Sequence, residues 1–473
     1  SGIPNREDRH MLAIHDGRRL DRRAFLTIGG LTLSGLSLTD LLAVKGRSAT
    51  DKPLLTDKSV IFLFLHGGPS QTETFDPKMS APVEIRSATG EIATKLPGAT
   101  FGSTFPKLAA LADKLTVVRS FVPGDANHDI KPIVGRDSFG ANLGSIYARM
   151  AGANRAGSGM PTNTALFPRS VDPSTQKANL GFGKFGSTGP FGTAYAPFDP
   201  SGGGQLQKDM HLTVPLSRLE DRRRLLAELD RVQWTLAEAG AFEGMDRVRQ
   251  QAYQTILGGV AGAFQLTKED PRTVARYDTA PLVRPENIDK KWKNYNNYVD
   301  NAKSLGKLLL LARRLCEHGC GFVTVTTNFV WDMHAVVNNA GVAEGMRYMG
   351  RPLDHAVSAF LEDVEARGLS DKILLVVCGE MGRTPRLNKK GGRDHWGNLG
   401  PLLLAGGGLK MGQVIGQSNR HAGEPQTEPI RIRHLIATIL HTLFDVGELR
   451  LVPGAPREIA QNMTSWEPIP GLL

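Results

Sequence analysis

Cysteine is scarce in this sequence, which has three cysteines among 473 residues. Three cysteines cannot form the disulfide framework that stabilises many small secreted domains. Cys316, Cys320 and Cys378 all lie at the edges of apolar segments, where small buried side chains are expected. Cys316 and Cys320 flank His318 without the paired spacing of a zinc site. The cysteines therefore indicate neither a disulfide scaffold nor a metal centre.

Aromatic residues are also few, at 7% of the chain, and they do not alternate with basic residues as they do in proteins that bind single-stranded nucleic acid. The formal net charge is +10 at pH 7, but lysine and arginine are spread along the chain among acids. The densest basic cluster, LEDRRRLLAELDR at 219–231, has acids at helical spacing beside its arginines. Such a pattern is typical of a solvated helix face. We therefore expect no nucleic-acid partner.

Two common catalytic motifs are missing. The HGG at 66–68 suggests the oxyanion loop of an α/β-hydrolase, but that fold needs a G-x-S-x-G elbow and the sequence contains none. The glycine-rich stretch AGGGLKMG at 405–412 lacks the GK[ST] ending of a phosphate-binding loop. It is more typical of a turn after a strand.

A pair of arginines marks the amino-terminal region. Arg22 and Arg23 stand at the start of a weakly apolar segment within LDRRAFLTIGGLTLSGLSLTDLLAV at 20–44. This order is typical of a twin-arginine export signal. Asp40 and several hydroxyl groups make the segment a poor transmembrane anchor. We expect residues 1–50 to be a signal and leader read by the twin-arginine export machinery, with the protein periplasmic or otherwise exported.

The remaining sequence alternates between two patterns. Short apolar segments predict strands at 59–67, 115–121, 321–327, 372–380 and 401–407, and helical patterns occur at 105–114, 216–265, 297–319, 353–368 and 431–447. Continuous apolar strands are typical of parallel sheets, and alternation with helices predicts a three-layer α/β sandwich. We expect one α/β domain over 51–473, with an irregular insertion near 152–215 and a helical insertion near 216–300.

Acidic and imidazole residues follow the predicted strands, where a parallel sheet gathers its functional groups. They are His66 after the first strand, Asp125, His128 and Asp129 after the second, Asp332 and His334 after the third, Glu380 after the fourth, and Asp394 and His395 in the next loop. Carboxylates mixed with imidazoles suit zinc, manganese or iron better than calcium. These residues therefore predict a divalent metal site, with His66, Asp332, His334, Glu380, Asp394 and His395 as its candidate ligands.

The spacing of these residues along the chain determines which of their side chains can reach the same ion. Asp332 and His334 are two apart, so an extended segment directs both side chains to one face. Asp394 and His395 are adjacent, and only an irregular loop brings both to one place. Structural roles remain open for several of them: His334 could cap a helix, Asp394 could pair with a nearby arginine, and Glu380 could be a satisfied buried acid.

Several blocks of the sequence resemble one known family. They are FLFLHGGPSQTETFDPK (62–78), LLLLARRLCEHGCGFVTV (308–325), WDMH (331–334), LLVVCGEMGRTP (374–385) and GRDHW (392–396). With the twin-arginine leader, they look like the exported bacterial family called domain of unknown function fifteen-oh-one. That family is placed in the alkaline-phosphatase-like superfamily, beside sulfatases and phosphomutases.

The resemblance implies metal ligands at the strand ends. Asp332 and His334 would form one acid-histidine set, with Glu380 at the next strand end and His395 as a late histidine. The chain departs from the superfamily at His66, where an Asp ligand is usual, and at Met381, where a His ligand is usual.

The nucleophile and the anion-binding group are further questions that the sequence raises. GDANHD at 124–129 offers no hydroxyl or thiol, so the nucleophile stays open and a metal-bound water is one candidate. His128 is predicted to be a catalytic group. Arg383 has a planar fork that matches sulfate or phosphate oxygens. Arg386, Lys389, Lys390 and Arg393 are interpreted as a solvated rim.

The sequence predicts an exported, sulfatase-like, metal-dependent hydrolase of sulfate or phosphate esters, acting on a small-molecule or glycan substrate. The alternative is a non-catalytic exported binding protein with a degenerate site, in which the 152–215 insertion serves a partner or a glycan. The two hypotheses differ in metal content, because the binding protein should purify without metal.

Overall fold

The computed structural model describes residues 12–14, 18–20, 53–202, 218 and 260–473. Most of the predicted twin-arginine signal, at 21–44, lies outside the described residues. So does most of the helix predicted at 216–265. No helix in the described part of the chain has the length and apolar character needed to cross a membrane.

All of the strands are short. In chain order they are β1 (Leu12–Ile14), β2 (Arg18–Leu20), β3 (Ser59–Phe64), β4 (Glu91–Ala93), β5 (Thr100–Gly102), β6 (Thr116–Val118), β7 (Phe121–Val122), β8 (Asn163–Leu166), β9 (Phe322–Thr326), β10 (Ile373–Cys378), β11 (Gly382–Arg383), β12 (His395–Trp396), β13 (Leu402–Gly406), β14 (Gln413–Ile415) and β15 (Ile430–Arg431).

Seven of these strands form the central sheet, in the order β14-β6-β13-β10-β3-β9-β8. Neighbouring strands run parallel except at β13, which is antiparallel to both β10 and β6. The chain between β10 and β13 contains no α-helix, all of its residues being described. A parallel neighbour needs a long crossover, usually helical, so β13 returns in the opposite direction. The predicted mostly parallel sheet is confirmed, with β13 as the exception.

The segment 152–215, predicted to be an irregular insertion, is described as far as residue 202. Within it, β8 pairs in parallel with β9 at the edge of the central sheet. Its sequence, NTAL, is short and half polar, so it lacks the continuous apolar run by which the other sheet strands were predicted. The described part of the predicted helical insertion contains short 3₁₀ turns, one seven-residue α-helix and the start of a long helix at Tyr295.

The α-helices in the described ranges cover both faces of the sheet. They are α1 (Pro106–Ala110), α2 (Leu143–Ala151), α3 (Pro271–Tyr277), α4 (Tyr295–Glu317), α5 (Val342–Ala366), α6 (Ile432–Leu443) and α7 (Val446–Leu451). The helix predicted to begin at 353 begins at Val342 instead and contains Pro352 in its interior.

Alternating side chains of the sheet strands divide the hydrophobic core into two halves. Ile61 and Leu63 of β3 pack in one half with α4 and α5, while Phe62 and Phe64 pack in the other with α2 and α6. Successive residues of a strand point to opposite faces, so one strand contributes to both halves. The predicted three-layer α/β sandwich is therefore confirmed.

Candidate functional site

Three loops meet beyond the carboxyl ends of β10, β3 and β9, which are neighbours in the sheet. The loop after β3 is fastened to the loop after β9, because the backbone carbonyl of His66 accepts hydrogen bonds from the amides of Val330 and Trp331, at 3.2 and 3.1 Å. Parallel strands place their ends at one edge of the sheet. The predicted site residues His66, Asp332 and Glu380 therefore enter the same region.

Gly67 makes this close approach possible. Its φ is +112°, and a Cβ at this position would lie 2.6 Å from the backbone nitrogen of Asp332. Its amide donates to both carboxylate oxygens of Glu380, at 2.9 and 3.1 Å. A side chain at residue 67 would therefore disturb the backbone beside Asp332 and the hydrogen bonds that orient Glu380.

Asp332 is the centre of the cluster, and its carboxylate is buried. Its contacts are His334 Nε2 at 2.6 Å, Arg383 Nη2 at 2.7 Å, Asn339 Nδ2 at 3.1 Å, His395 Nε2 at 3.2 Å and His128 Nε2 at 3.4 Å. Burial alone would raise the pKa of Asp332, but the hydrogen bonds from the histidines and the charge of the arginine hold the pKa far below its usual range. Asp332 is therefore a carboxylate at any ordinary pH.

His128 bridges the two buried acids of the site. Its Nδ1 lies 3.0 Å from Glu380 Oε1 and its Nε2 lies 3.4 Å from Asp332 Oδ1. Burial opposes protonation, but the hydrogen bonds to the two carboxylates outweigh it and raise the pKa of His128. The ring of His395 is 4.2 Å away, centroid to centroid. His128 is thus held in one orientation by an acid on each side.

His66 lies in an apolar setting beside these acids. Its ring is 5.0 Å from that of Phe329 and 5.9 Å from that of Phe185. Burial lowers the pKa of His66, so the imidazole is neutral. Its Nε2 is buried and has no hydrogen-bond partner among the described residues. A buried nitrogen in this state is an available ligand.

Asp394 and His395 point in different directions. His395 reaches Asp332, whereas the exposed Asp394 accepts a hydrogen bond from Asn388 Nδ2 at 3.0 Å. His395 begins β12, which pairs antiparallel with β11. Asp394 immediately precedes this strand, and neighbouring residues of an extended segment face opposite sides. The structure therefore brings His395 into the cluster and directs Asp394 toward the rim.

Arg383 is fully buried, whereas an arginine that binds a substrate anion needs an accessible guanidinium. Besides contacting Asp332, its guanidinium donates to the carbonyls of Gly67 and, at 2.8 Å, Gly68. These bonds use the donors that a substrate anion would need. The anion-binding role of Arg383 stays a prediction, and its contacts favour a role in fixing Asp332.

Arg393 was interpreted from the sequence as solvated rim, and this was wrong. Both Arg393 and Glu73 have side chains that are 0% exposed, and Glu73 Oε1 accepts from Arg393 Nε and Nη2 at 3.0 and 2.9 Å. The side chain of Arg386, in contrast, is 70% exposed. The buried pair anchors the loop that carries His395.

Asn339, Glu73 and the aromatic residues around His128 were not predicted from the sequence. Asn339 stands in a pair of asparagines soon after the WDMH motif, which is a weak signal. The ring of Phe329 lies 4.6 Å from that of His128 and the ring of Phe182 lies 5.2 Å from it. Phe182 belongs to a segment without periodicity, so no pattern connected it to the site.

Three of the cluster residues form a group able to hold a cation. His128, Asp332 and His395 each offer one ligand atom, and these atoms lie within 4.8 Å of one another. Two imidazole nitrogens and a carboxylate oxygen are a common donor set for transition metals. The three residues therefore offer a donor group of the type that holds a divalent ion.

Known structures with a partial likeness include a sulfatase, a lipoteichoic acid synthase and a phosphonate monoester hydrolase. The sulfatase PsFucS1 from Pseudoalteromonas sp. is 11% identical, with 85% of this chain and 71% of that chain covered and a TM-score of 0.36. The lipoteichoic acid synthase LtaP from Listeria monocytogenes is 8% identical, with 85% and 77% covered and a TM-score of 0.30. The phosphonate monoester hydrolase of Agrobacterium radiobacter is 12% identical, with 81% and 73% covered and a TM-score of 0.27. Likenesses at TM-scores this low carry no argument about function.

No curated protein matches the sequence. A family match, however, covers residues 57–451, which include every strand of the central sheet and every residue of the candidate site. The chain belongs to the family described as Protein of unknown function (DUF1501).

Proposed function

We propose that this chain is an exported, metal-dependent hydrolase of sulfate or phosphate esters with an alkaline-phosphatase-like domain. The observation that carries the proposal is the group formed by His128, Asp332 and His395, whose ligand atoms lie within 4.8 Å of one another. The group stands beyond the carboxyl ends of a mostly parallel sheet, where such folds place their active sites. Its nitrogen and oxygen donors suit zinc, manganese or iron better than calcium.

The surroundings of His128 support metal binding. Metal-ligating histidines commonly donate their second ring N–H to a carboxylate, which fixes the ring orientation. Glu380 occupies that position 3.0 Å from His128 Nδ1, and the amide of Gly67 holds Glu380 in turn. We therefore propose that His128, expected from the sequence to be a catalytic group, is a ligand. Glu380, expected to be a ligand, is then the residue that positions His128.

Two further histidines complete the proposed site. His66 offers a neutral, buried nitrogen without a hydrogen-bond partner among the described residues, as a metal ligand requires. His334 contacts the second oxygen of Asp332 at 2.6 Å and is more exposed than Asp332. We propose His66 as an additional ligand and His334 as the group that takes up and returns a proton.

The bound ion would supply Lewis-acid polarisation of an ester oxygen and a lowered pKa of water. The chain supplies the geometry. Arg383 fixes Asp332 through a contact with its Oδ1, the oxygen that His128 and His395 also reach, and through hydrogen bonds to two backbone carbonyls. The twin-arginine segment at 20–44 would direct the folded protein out of the cytoplasm.

One observation favours the alternative of a non-catalytic binding protein with a degenerate site. The charge of Asp332 is already balanced by Arg383 at 2.7 Å, and the hydrogen-bonding partners of Asp332 are imidazole, amide and guanidinium groups rather than a hydroxyl or thiol nucleophile. A cluster in which the charge of Asp332 is balanced and its oxygens have hydrogen-bond partners would be stable without an ion.

The two functions are separated by metal analysis combined with an activity assay. Protein purified without chelator is analysed for zinc, manganese and iron, and is assayed with an aryl sulfate and an aryl phosphate before and after chelation. A bound transition metal and a chelator-sensitive turnover are expected. Metal-free protein that turns over neither ester after metal is added back would favour the binding protein.

A further inference from the structure

A loop from the poorly patterned segment 152–215 passes beside the candidate site. Phe185 anchors this loop: it is buried, and its ring lies 5.8 Å from that of Phe64, 5.9 Å from that of His66 and 5.7 Å from that of Phe167. Edge-to-face packing of this kind holds aromatic side chains in one arrangement. The loop is therefore fixed to the core next to the end of β3.

Phe182, three residues earlier, has a different environment. Its side chain is 37% exposed, although its ring stacks on that of Phe329 at 4.5 Å with an interplanar angle of 24°. The same ring lies 5.2 Å from the ring of His128. Leu180, two residues before it, is also exposed. An apolar surface thus borders the cluster of proposed metal ligands and remains open to solvent.

Gly183 keeps Phe182 at this position. Its φ is +151°, and a Cβ there would lie 2.6 Å from Ile130 Cγ1. Ile130 follows His128 by two residues, so the Phe182 loop is packed tightly against the loop that carries His128. The position of the Phe182 ring is therefore coupled to the position of His128.

From this geometry we infer that Phe182, with Phe329, forms a subsite for the alcohol half of the ester substrate. The inference rests on the proposed function. An aromatic face in such a position binds a ring that has an apolar face. An aryl group and the apolar face of a pyranose share this chemistry, so the leaving group is a ring that stacks on Phe182 while its ester group reaches the cluster.

The test compares Phe182→Ala and Phe182→Trp with the wild type. Leu451→Ala is the control, because Leu451 is an exposed apolar residue of α7. KM and kcat are measured with 4-nitrophenyl sulfate and 4-nitrophenyl phosphate in one arm, and with glucose 6-sulfate and glucose 6-phosphate in the other. Inhibition by inorganic sulfate and phosphate measures binding at the cluster without a ring.

Phe182→Ala is expected to raise KM for the ring-bearing esters roughly 2- to 10-fold, the strength of one aromatic stack. Inhibition by the inorganic anions should be unchanged, Phe182→Trp should restore KM, and the control should behave as the wild type. The arm with the larger effect identifies the ring as aryl or pyranose. An unchanged KM in both arms, or an equal weakening of the inorganic anions, would overturn the subsite.

Failure of the proposed function would give a different result. If the wild type turned over none of the esters, calorimetric titration of 4-nitrophenyl phosphate and glucose 6-phosphate into the wild type and Phe182→Ala would decide the question. Binding that is weakened in the variant would support the subsite without catalysis. Equal binding by both proteins, or no binding by either, would overturn it.

Discussion

Replacing Glu73 with glutamine tests whether a buried ion pair holds the loop of His395. Glu73 and Arg393 are separated by 320 positions in the sequence, and both side chains are fully buried. Glu73 also accepts hydrogen bonds from Ser87 Oγ and from the amides of Ala88 and Thr89. The substitution preserves the shape of the side chain, but it removes the charge and turns an NH₂ donor toward existing donors.

The expected cost is large for a single substitution. Breaking a buried ion pair by changing one partner costs about 3 to 5 kcal/mol, because the remaining charge is left uncompensated. Since glutamine retains one acceptor oxygen, we expect Glu73→Gln to lower the free energy of unfolding by about 3 kcal/mol, the lower end of that range. The loop that carries His395 should loosen, and metal affinity should fall with it.

Urea unfolding of the wild type and the variant measures this change as a shift in midpoint. Glu84→Gln is a matched control, because Glu84 pairs with Arg386 across the same two loops at 3.4 Å, with both side chains exposed to solvent. Exposed pairs contribute about 0 to 1 kcal/mol. If the two variants lost the same stability, the buried pair would not be the anchor of this loop.

Three further predictions concern other parts of the fold. Burial would raise the pKa of Glu269, but hydrogen bonds from Arg314 and Arg313 hold this pKa at about 2, against an ordinary 4.5. The stability that these bonds contribute is fully present above pH 4.5 and is lost as the pH falls toward 2, by at most about 3 kcal/mol. Unfolding free energies in this acid range should fall less steeply in Glu269→Gln, and identical slopes would contradict the assignment. Gly67→Ala should destabilise the protein by more than Gly98→Ala, since both glycines have positive φ but no atom lies near a Cβ at Gly98; equal urea midpoints would show that the loop relaxes. Glu380→Gln should weaken metal affinity about 10- to 100-fold by removing the charge that orients the imidazole beside it, and metal titration showing the wild-type affinity would exclude this positioning role.

The sequence predicted most of the central sheet because its inner strands are continuous apolar runs. β3, β9 and β10 each bury side chains on both faces, and this composition separates them from loops. β8 was missed because it has only four residues, two of them polar, and so lacks a continuous apolar run. The reversed direction of β13 could not be predicted either, because strand direction depends on the connection rather than on composition.

Topology explains part of the predicted site. His66, Asp332 and Glu380 follow adjacent parallel strands, so a parallel sheet alone brings them together. The pairing of Glu73 with Arg393 joins distant segments, and a basic loop sequence gives no sign that one arginine is buried. Phe182 likewise acquires its place beside His128 only through the packing of its loop. Charge and hydropathy patterns describe local structure and do not report such long-range contacts.

The central claim is that His128, Asp332 and His395 hold a divalent ion that hydrolysis requires. Elemental analysis of the wild type and Asp332→Asn, with aryl sulfate and aryl phosphate turnover measured on the same samples, tests it most directly. We predict a transition metal in the wild type, its loss in the variant, and turnover that falls with metal content. Equal metal content in the two proteins, or a wild type that stays metal-free and inactive after metal is supplied, would contradict it.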